Sequence, residues 1–280
     1  MKLLLIDGSN LLCQMFFGMP ARITGSHGRA IHGTLGFVGT LIRMIRMTAP
    51  THIAVLFDGE HDNPRSALSA EYKANRTGYA DTPDAENPFT QLPDIYAALD
   101  FMDIPHTEID VVEGDDVIAA YALTYGGGIE IVIASLDSDF FQLITGNVTV
   151  LRYRGDKTVI CDSGWIQEKY GIPPTLYADL KSLTGDASDN IRGAEGIGPK
   201  TAAALLRQFG SLQAVLEKAD DITKPAIRES VRRNTARLQN NYRLIKLDDR
   251  AAMPFSLDAL RYTYSGVTTN EVLKGIGVRE

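Results

Sequence analysis

Three short apolar runs, Leu3 to Ile6, Ile53 to Phe57 and Ile129 to Ala134, each give way almost at once to aspartate: Asp7, Asp58, and the pair Asp137 and Asp139. Runs this short and this apolar read as strands buried on both faces, the kind found in parallel sheets. Helical patterns lie between them at Leu35 to Met47, Pro93 to Asp103 and Asp115 to Tyr125. Strand and helix in alternation predict a doubly wound α/β sheet with helices on both faces, and such sheets bind ligands at the carboxyl ends of their strands. Three strands ending in aspartate therefore predict an acidic crevice.

The chain has 280 residues, 44% of them hydrophobic, enough for the core of one large domain or of one domain with an appendage. It contains no apolar run long enough for a membrane span, and its apolar start is interrupted at Asp7, so neither a span nor a signal peptide fits and a cytosolic protein is expected. Its two cysteines, Cys13 and Cys161, form no CxxC pair and have no histidine clustered with them, which argues against a disulfide framework or a structural zinc. A net charge of −7 alone argues against a nucleic-acid partner. The distribution is uneven, however: between Lys181 and Lys246 twelve Lys and Arg face seven Asp and Glu, a local excess of basic charge. An ordinary solvated helical face would also produce it.

Residues Gly59 to Asn87 are rich in Asn, Asp, Pro, Ala and Gly and carry Arg65, Tyr72, Lys73 and Arg76. A connection of this length inside a compact domain is usually functional or disordered, and its basic residues would overhang the acidic crevice. From about Pro173 the pattern becomes helical, with a glycine-rich stretch from Gly193 to Gly198. The expected organisation is an α/β metal-binding domain over 1–172, an arch at about 60–92, a helical DNA-binding subdomain over 173–250 and a tail over 251–280 with no assigned role.

The sequence Glu113-Gly-Asp-Asp116 opens a helix, Ser135-Leu-Asp-Ser-Asp139 leaves a strand, and Gly185-Asp-Ala-Ser-Asp-Asn190 follows another helix. Acids at a helix N-terminus are commonplace as caps. Convergence of Asp7, Asp58, Glu113, Asp115, Asp116, Asp137, Asp139, Asp186 and Asp189 would be another matter, because so many charges could not be gathered without cations. Oxygen ligands with no neighbouring histidine suit Mg²⁺ or Mn²⁺ rather than zinc. Two such ions about 4 Å apart could hold a scissile phosphate, activate water and stabilise the leaving 3′ oxygen. Positive side chains must meet the charge spread over the phosphate, and Lys73 and Arg76 are the candidates. Gly196-Ile-Gly-Pro-Lys-Thr-Ala202 resembles the hairpin of a helix-hairpin-helix motif, in which Gly196, Ile197, Gly198, Lys200 and Thr201 would present backbone N–H groups and a helix start to a phosphate without reading bases.

Taken in order and spacing, Ile6-Asp-Gly8, Phe57-Asp58, Tyr72-Lys-Ala-Asn-Arg76, Glu113-Gly-Asp-Asp116, Asp137-Ser-Asp139 and Gly185-Asp-Ala-Ser-Asp-Asn190 with Gly196-Ile-Gly198 resemble the 5′-nuclease or flap endonuclease family. That family includes the 5′-3′ exonuclease domain of bacterial DNA polymerase I and stand-alone bacterial and phage relatives, and the resemblance runs from about Met1 to Leu247. It implies a PIN-like, mostly parallel sheet with a helical arch. It assigns Asp7, Asp58, Glu113, Asp115 and Asp116 to a first metal region, and Asp137, Asp139, Asp186 and Asp189 to a second. It places Lys73 and Arg76 on the arch at the scissile phosphate, with Tyr72 stacking on a base and Arg65 assisting, and it implies K⁺ at the hairpin. Two departures stand out: Gln14 where the family often has a DNA-contacting Arg, and Gly114 in place of a common Ala, expected to weaken the helix start without touching the ligands. Because the chain ends where a polymerase would begin, a monomeric nuclease acting beside a separate polymerase is expected, removing RNA primers and 5′ flaps or degrading DNA from 5′ ends.

Three other readings compete: a catalytically silent DNA-junction binder, a PIN-like metal-dependent ribonuclease, and an α/β protein whose acids are solvated caps. The first predicts lost carboxylates or a lost arch lysine, the second leaves the hairpin unexplained, and the third predicts no metal dependence. If the basic segment grips phosphates, affinity for duplex DNA falls steeply as salt rises. Titrations from 50 to 200 mM salt check this, and a flat response would detach the segment from phosphate binding.

Overall fold

The structure, a computed structural model, describes residues 1–26, 28–59, 65, 68–69, 71–75, 78–79, 82–110 and 112–280. In chain order the first half runs β1 (Lys2–Asp7), α1 (Gly8–Gly18), α2 (His32–Thr48), β2 (His52–Asp58), α3 (Leu92–Phe101), β3 (His106–Ile109), α4 (Gly114–Tyr125), β4 (Glu130–Ala134), β5 (Val148–Arg152), β6 (Val159–Cys161) and α5 (Ser163–Tyr170). These strands form one sheet in the order β3-β2-β1-β4-β5-β6, parallel except for β6. From β1 the chain builds outward to β3 on one side and, from β4 onward, on the other. The switch falls between β1 and β4, the place where an open α/β sheet leaves a crevice beyond its strand ends.

The three apolar runs are the three central strands, and their side chains divide by parity. Leu3, Leu5, Ala54, Leu56, Ile131 and Ile133 face one core with α4. Leu4, Ile6, Ile53, Val55, Phe57 and Val132 face another with α2 and α3. Burial on both faces explains why these strands show no polar alternation. The outer strands β3 and β5 carry polar residues such as Thr107, Glu108 and Thr149, so no apolar run marks them. Helix α1, also unmarked by periodicity, starts directly from β1 because Asp7 caps it, accepting a hydrogen bond from Asn10 N at 2.9 Å.

The second half is helical: α6 (Tyr177–Thr184), the two-residue strands β7 (Gly185–Asp186) and β8 (Ile191–Arg192), then α7 (Pro199–Phe209), α8 (Leu212–Glu217), α9 (Pro225–Arg233), α10 (Thr235–Ile245) and α11 (Thr269–Gly275). Leu180, Leu183, Ala202 and Leu206 continue the core that lies under α4, so both halves share one apolar interior. No helix among the described residues is long and apolar enough to cross a membrane.

The tail is more than an appendage. Tyr262 N donates to Thr51 O at 2.9 Å, and the Tyr121 hydroxyl donates to Phe255 O at 2.7 Å. Thr268 and Glu271 form a capping box at the start of α11, which buries Val272 and Leu273 beside α2 and α3. Weak periodicity hid this role because α11 spans fewer than two turns and presents only a few apolar groups to one side. Leu273→Ala should therefore cost about 2 kcal/mol, the low end for a buried leucine in a small cluster, read from the midpoint of urea unfolding at unchanged slope.

Candidate metal centre and nucleic-acid interface

The ends of β1, β2 and β4 bring three loops together. Asp7 accepts from Ser135 Oγ at 2.7 Å, Ser135 Oγ accepts from Asp137 N at 2.9 Å, and Asn10 Oδ1 accepts from Leu136 N at 3.0 Å. Asp58 is exposed at the end of β2, where its Oδ1 accepts from Gly114 N at 2.8 Å and its own N–H donates to Ser9 Oγ. Gly114 thus does touch a predicted ligand. A Cβ there would lie 2.9 Å from Asp58 Oδ1, so the glycine permits the carboxylate to approach the start of α4.

Like charges crowd this corner. Burial, then Asp58 and Asp137, push Asp7 up from 3.8 to about 7, against the hydrogen bonds from Asn10 and Ser135. Burial raises Asp115 well above its ordinary value, reinforced by Asp7, Asp137 and Asp58 and opposed by Lys73. Asp7, Asp58, Asp115 and Asp137 therefore form one mutually repelling group.

A second group adjoins it. Asp139, Asp186 and Asp189 offer carboxylate oxygens within 4.8 Å of one another. Asp139 N donates to Asp137 Oδ1 at 2.8 Å, which makes Asp137 the link between the groups. Lys181, buried on α6, ion-pairs with both Asp139 and Asp186. Burial lowers its pKa, but Asp139, Asp186 and Asp137 outweigh burial and hold the ammonium charged. Lys181 was not among the sequence candidates. Its only signal was a lysine in the otherwise core-forming stretch Leu180 to Leu183, a position that normally rejects a charge unless it is paired.

Glu113 and Asp116 face the basic segment. Arg65 pairs with both, Lys73 pairs with Glu113, and the Tyr72 hydroxyl donates to Glu113 at 3.2 Å. Asp116 also accepts from Asp248 N at 2.8 Å. Tyr72 is buried among Ala178, Ile191, Leu244 and Ile245, so its ring is covered here and offers no open face to a base. Lys73 sits at φ +55 and donates its backbone N–H to Asp189 O at 3.0 Å, while Asn190 Nδ2 donates to Glu71 O at 2.8 Å. The segment 71–75 is thereby pinned to the second acidic group. It consists of turns, and among the described residues a turn at 84–86 and the 3-10 turn Pro88–Gln91 follow before α3. Arg76 lies outside the described residues. Gln14 donates Nε2 to Tyr153 O at 2.7 Å, so its amide is engaged within the protein.

The hairpin follows. Gly196 adopts φ +78, which an L side chain resists, and Ile197 is buried while Gly198 and Lys200 are exposed and Thr201 is half-buried. Helix α7 begins with Pro199 at its first turn and no side chain caps it, so backbone N–H groups remain for an anion. Gly185 and Gly193 pack so closely that a Cβ on Gly193 would lie 2.3 Å from Thr184 C. Asp186 and the hairpin are therefore joined through a contact with no slack.

The donor set fits divalent cations: oxygen ligands, partly buried, with repulsion left over after the side-chain cations are counted.

The 5′-3′ exonuclease N-terminal resolvase-like domain matches residues 2–171, and the 5′-3′ exonuclease C-terminal SAM fold matches residues 172–266. DNA polymerase I of Rhizobium leguminosarum is 34% identical over 266 residues, covering 92% of this chain and 26% of its own length. The thermostable DNA polymerase I of Thermus aquaticus is 33% identical over 258 residues, covering 92% and 29%. The chain thus spans under a third of these relatives. Among solved structures, the bacteriophage T5 flap endonuclease in a complex with DNA and metal ions aligns at TM-score 0.72 and 23% identity, over 99% of this chain and 98% of that one. The catalytic core of Rad2 with a DNA substrate aligns at TM-score 0.58 and 16% identity, over 98% and 92%. Both show the same fold.

The charge crowding has a consequence for stability. An acid whose pKa rises on folding from 3.8 to about 7 is fully tolerated below 3.8 and destabilises increasingly as pH climbs toward 7. Asp7→Asn should raise stability in EDTA by about 2 kcal/mol near pH 5, where the folded chain holds a proton that the unfolded chain has released, and by at most about 4 kcal/mol at pH 8. Thermal melts at the two pH values check it, and equal effects at both would remove Asp7 from the repelling group.

Proposed function

We propose, from the premise that this chain belongs to the 5′-3′ exonuclease family, that it is a divalent-metal-dependent nuclease hydrolysing DNA phosphodiesters at 5′ ends, flaps or RNA primers. The observation that carries the reading is the meeting of seven carboxylates, Asp7, Asp58, Asp115 and Asp137 beside Asp139, Asp186 and Asp189, at the switch point of the sheet. The first four would hold one Mg²⁺ and the last three another, with Asp137 between them and Mn²⁺ able to substitute. Bound there, the ions would supply an activated water and charge stabilisation at the leaving 3′ oxygen.

The protein's own groups do the rest. Ser135 and Asn10 orient the loop that carries Asp137, and Lys181 limits repulsion among the acids of the second group. Lys73, within reach of the crevice, would meet negative charge on the phosphate oxygens, and Arg76 is assigned with it. Arg65 would turn from Glu113 toward DNA when it enters, while Tyr72 stays in its apolar cluster. Glu113 and Asp116 would then be released toward the first ion. The hairpin from Gly196 to Thr201 would grip duplex through backbone N–H groups and Lys200, with K⁺ at its carbonyls. In this division residues 1–172 carry most of the cutting site, 173–250 complete it with Lys181, Asp186 and Asp189 and hold the duplex, and a DNA polymerase would be the partner in primer removal.

Cleavage of a 5′-labelled flap and of a linear single strand, each with EDTA, Mg²⁺ or Mn²⁺, tests the proposal. Cutting that needs metal and is abolished by Asp137→Ala supports it. Tight binding without cutting under every metal would make the chain a silent junction binder. Lys73→Ala should lower kcat by at least about a hundredfold, the scale of losing a charge donor at the transition state, and leave duplex Kd within about twofold. Equal losses in both would reassign Lys73 to binding.

A further inference from the structure

A cavity of about 630 Å³ opens at the far end of α1 from the carboxylates. Phe16 and Phe17 come from the end of that helix, Arg22 from the loop after it, His32 from the start of α2, and Tyr79 and Glu86 from the stretch before α3. Resting on the nuclease reading above, we propose that this cavity is a base-stacking subsite for single-stranded DNA, taking one nucleobase between Phe17 and Tyr79.

The aromatic geometry comes first. The rings of Phe17 and Tyr79 have centroids 6.5 Å apart at an interplanar angle of 25°. A base between two rings needs about 6.8 Å between their planes, twice the stacking rise of about 3.4 Å, so the near-parallel pair is aligned for a base and admits one when the exposed Phe17 ring swings outward. Phe17 is 59% exposed, an unusual cost for a phenylalanine and one that a stacked base would remove. Tyr79 is held in place by its edge contact with Phe89, centroids 5.3 Å apart.

The polar groups of the cavity suit a nucleotide. His32 is 3% exposed, and its Nδ1 is buried with no hydrogen-bond partner among the described residues. Burial and then the Arg22 guanidinium lower the pKa of this imidazole, against a hydrogen bond to the Phe16 backbone, which keeps the ring neutral and leaves Nδ1 as the nitrogen for a heterocyclic edge. Arg22 is exposed and makes no ion pair among the described residues, so it is available to a phosphate. Glu86, exposed at the rim, offers an acceptor for an exocyclic amine.

Helix α1 begins at Asp7 in the crevice and ends beside the cavity after 11 residues, a rise of about 16 Å. A strand whose phosphate lies at the carboxylates reaches Phe17 within a few nucleotides. The single-stranded tail of the substrate is the part flexible enough to turn a base into the gap, because a paired base is already stacked.

The test places 2-aminopurine at successive positions along the 5′ tail of a flap substrate, bound in Ca²⁺ so that cleavage does not intervene. Fluorescence should be quenched at one or two adjacent positions, and Phe17→Ala, at an exposed site, should abolish the quench. The same substitution should weaken binding of the tailed flap about tenfold, the scale of one lost base stack, and leave binding of the same duplex without a tail unchanged. Tyr79→Phe should retain the quench and Tyr79→Ala lose it. A flat fluorescence profile with tight duplex binding would overturn the subsite alone. Equal weakening of tailed and untailed substrates by Phe17→Ala would overturn it too. Failure of the unmodified protein to bind even the untailed duplex would instead overturn the nuclease reading on which the subsite rests.

Discussion

Repulsion among carboxylates at the strand ends is the constraint around which the rest of the molecule is arranged. Three adjacent strands buried on both faces cannot bend away from one another, so the acids that follow them are held together whatever their mutual cost. The chain answers part of that cost with its own cations: Lys181 from the helical half, Arg65 and Lys73 from the long connection. Each answer also ties one part of the protein to another. Lys181 fastens α6 to the loop after β4, and Lys73 fastens the connection to both Glu113 and Asp189. Electrostatic necessity and tertiary structure are here the same set of contacts.

Much of this was visible in the chain before any coordinates. The central strands announce themselves because burial on both faces leaves them wholly apolar, and the aspartates that close them announce the crevice. What the sequence hid was of two kinds. Beta strands β3 and β5 lie toward the edges and carry polar groups, so they lack the contrast that periodicity needs. Lys181, the covered ring of Tyr72 and the packing of α11 depend instead on residues far away in the chain. Tyr72 reads as an available aromatic until Leu244 and Ile245 are seen against it. Gly114 reads as a weakened helix start until Asp58 is seen to occupy the space a methyl group would need.

The long connection has two characters. At 71–75 it is stitched to the loop between β7 and β8 through Lys73, Asn75 and Asn190. Further on, its Tyr79 packs against Phe17 at the end of α1 and against Phe89. It therefore touches the protein on both sides of the crevice, near the acids at one end and near the cavity at the other. A strand passing beneath it would meet charge first and stacking surfaces second.

Gly185 and Gly193 stand backbone against backbone. With no room for even one carbon between their backbones, the strand that carries Asp186 and the hairpin that follows Arg192 cannot slide past each other. Under the proposed function one of these parts holds a phosphate of the duplex and the other faces the bond to be broken. The span between grip and cut is then a fixed length of backbone. The enzyme would measure its incision by counting from the duplex, and no sequence in the DNA would need to be read.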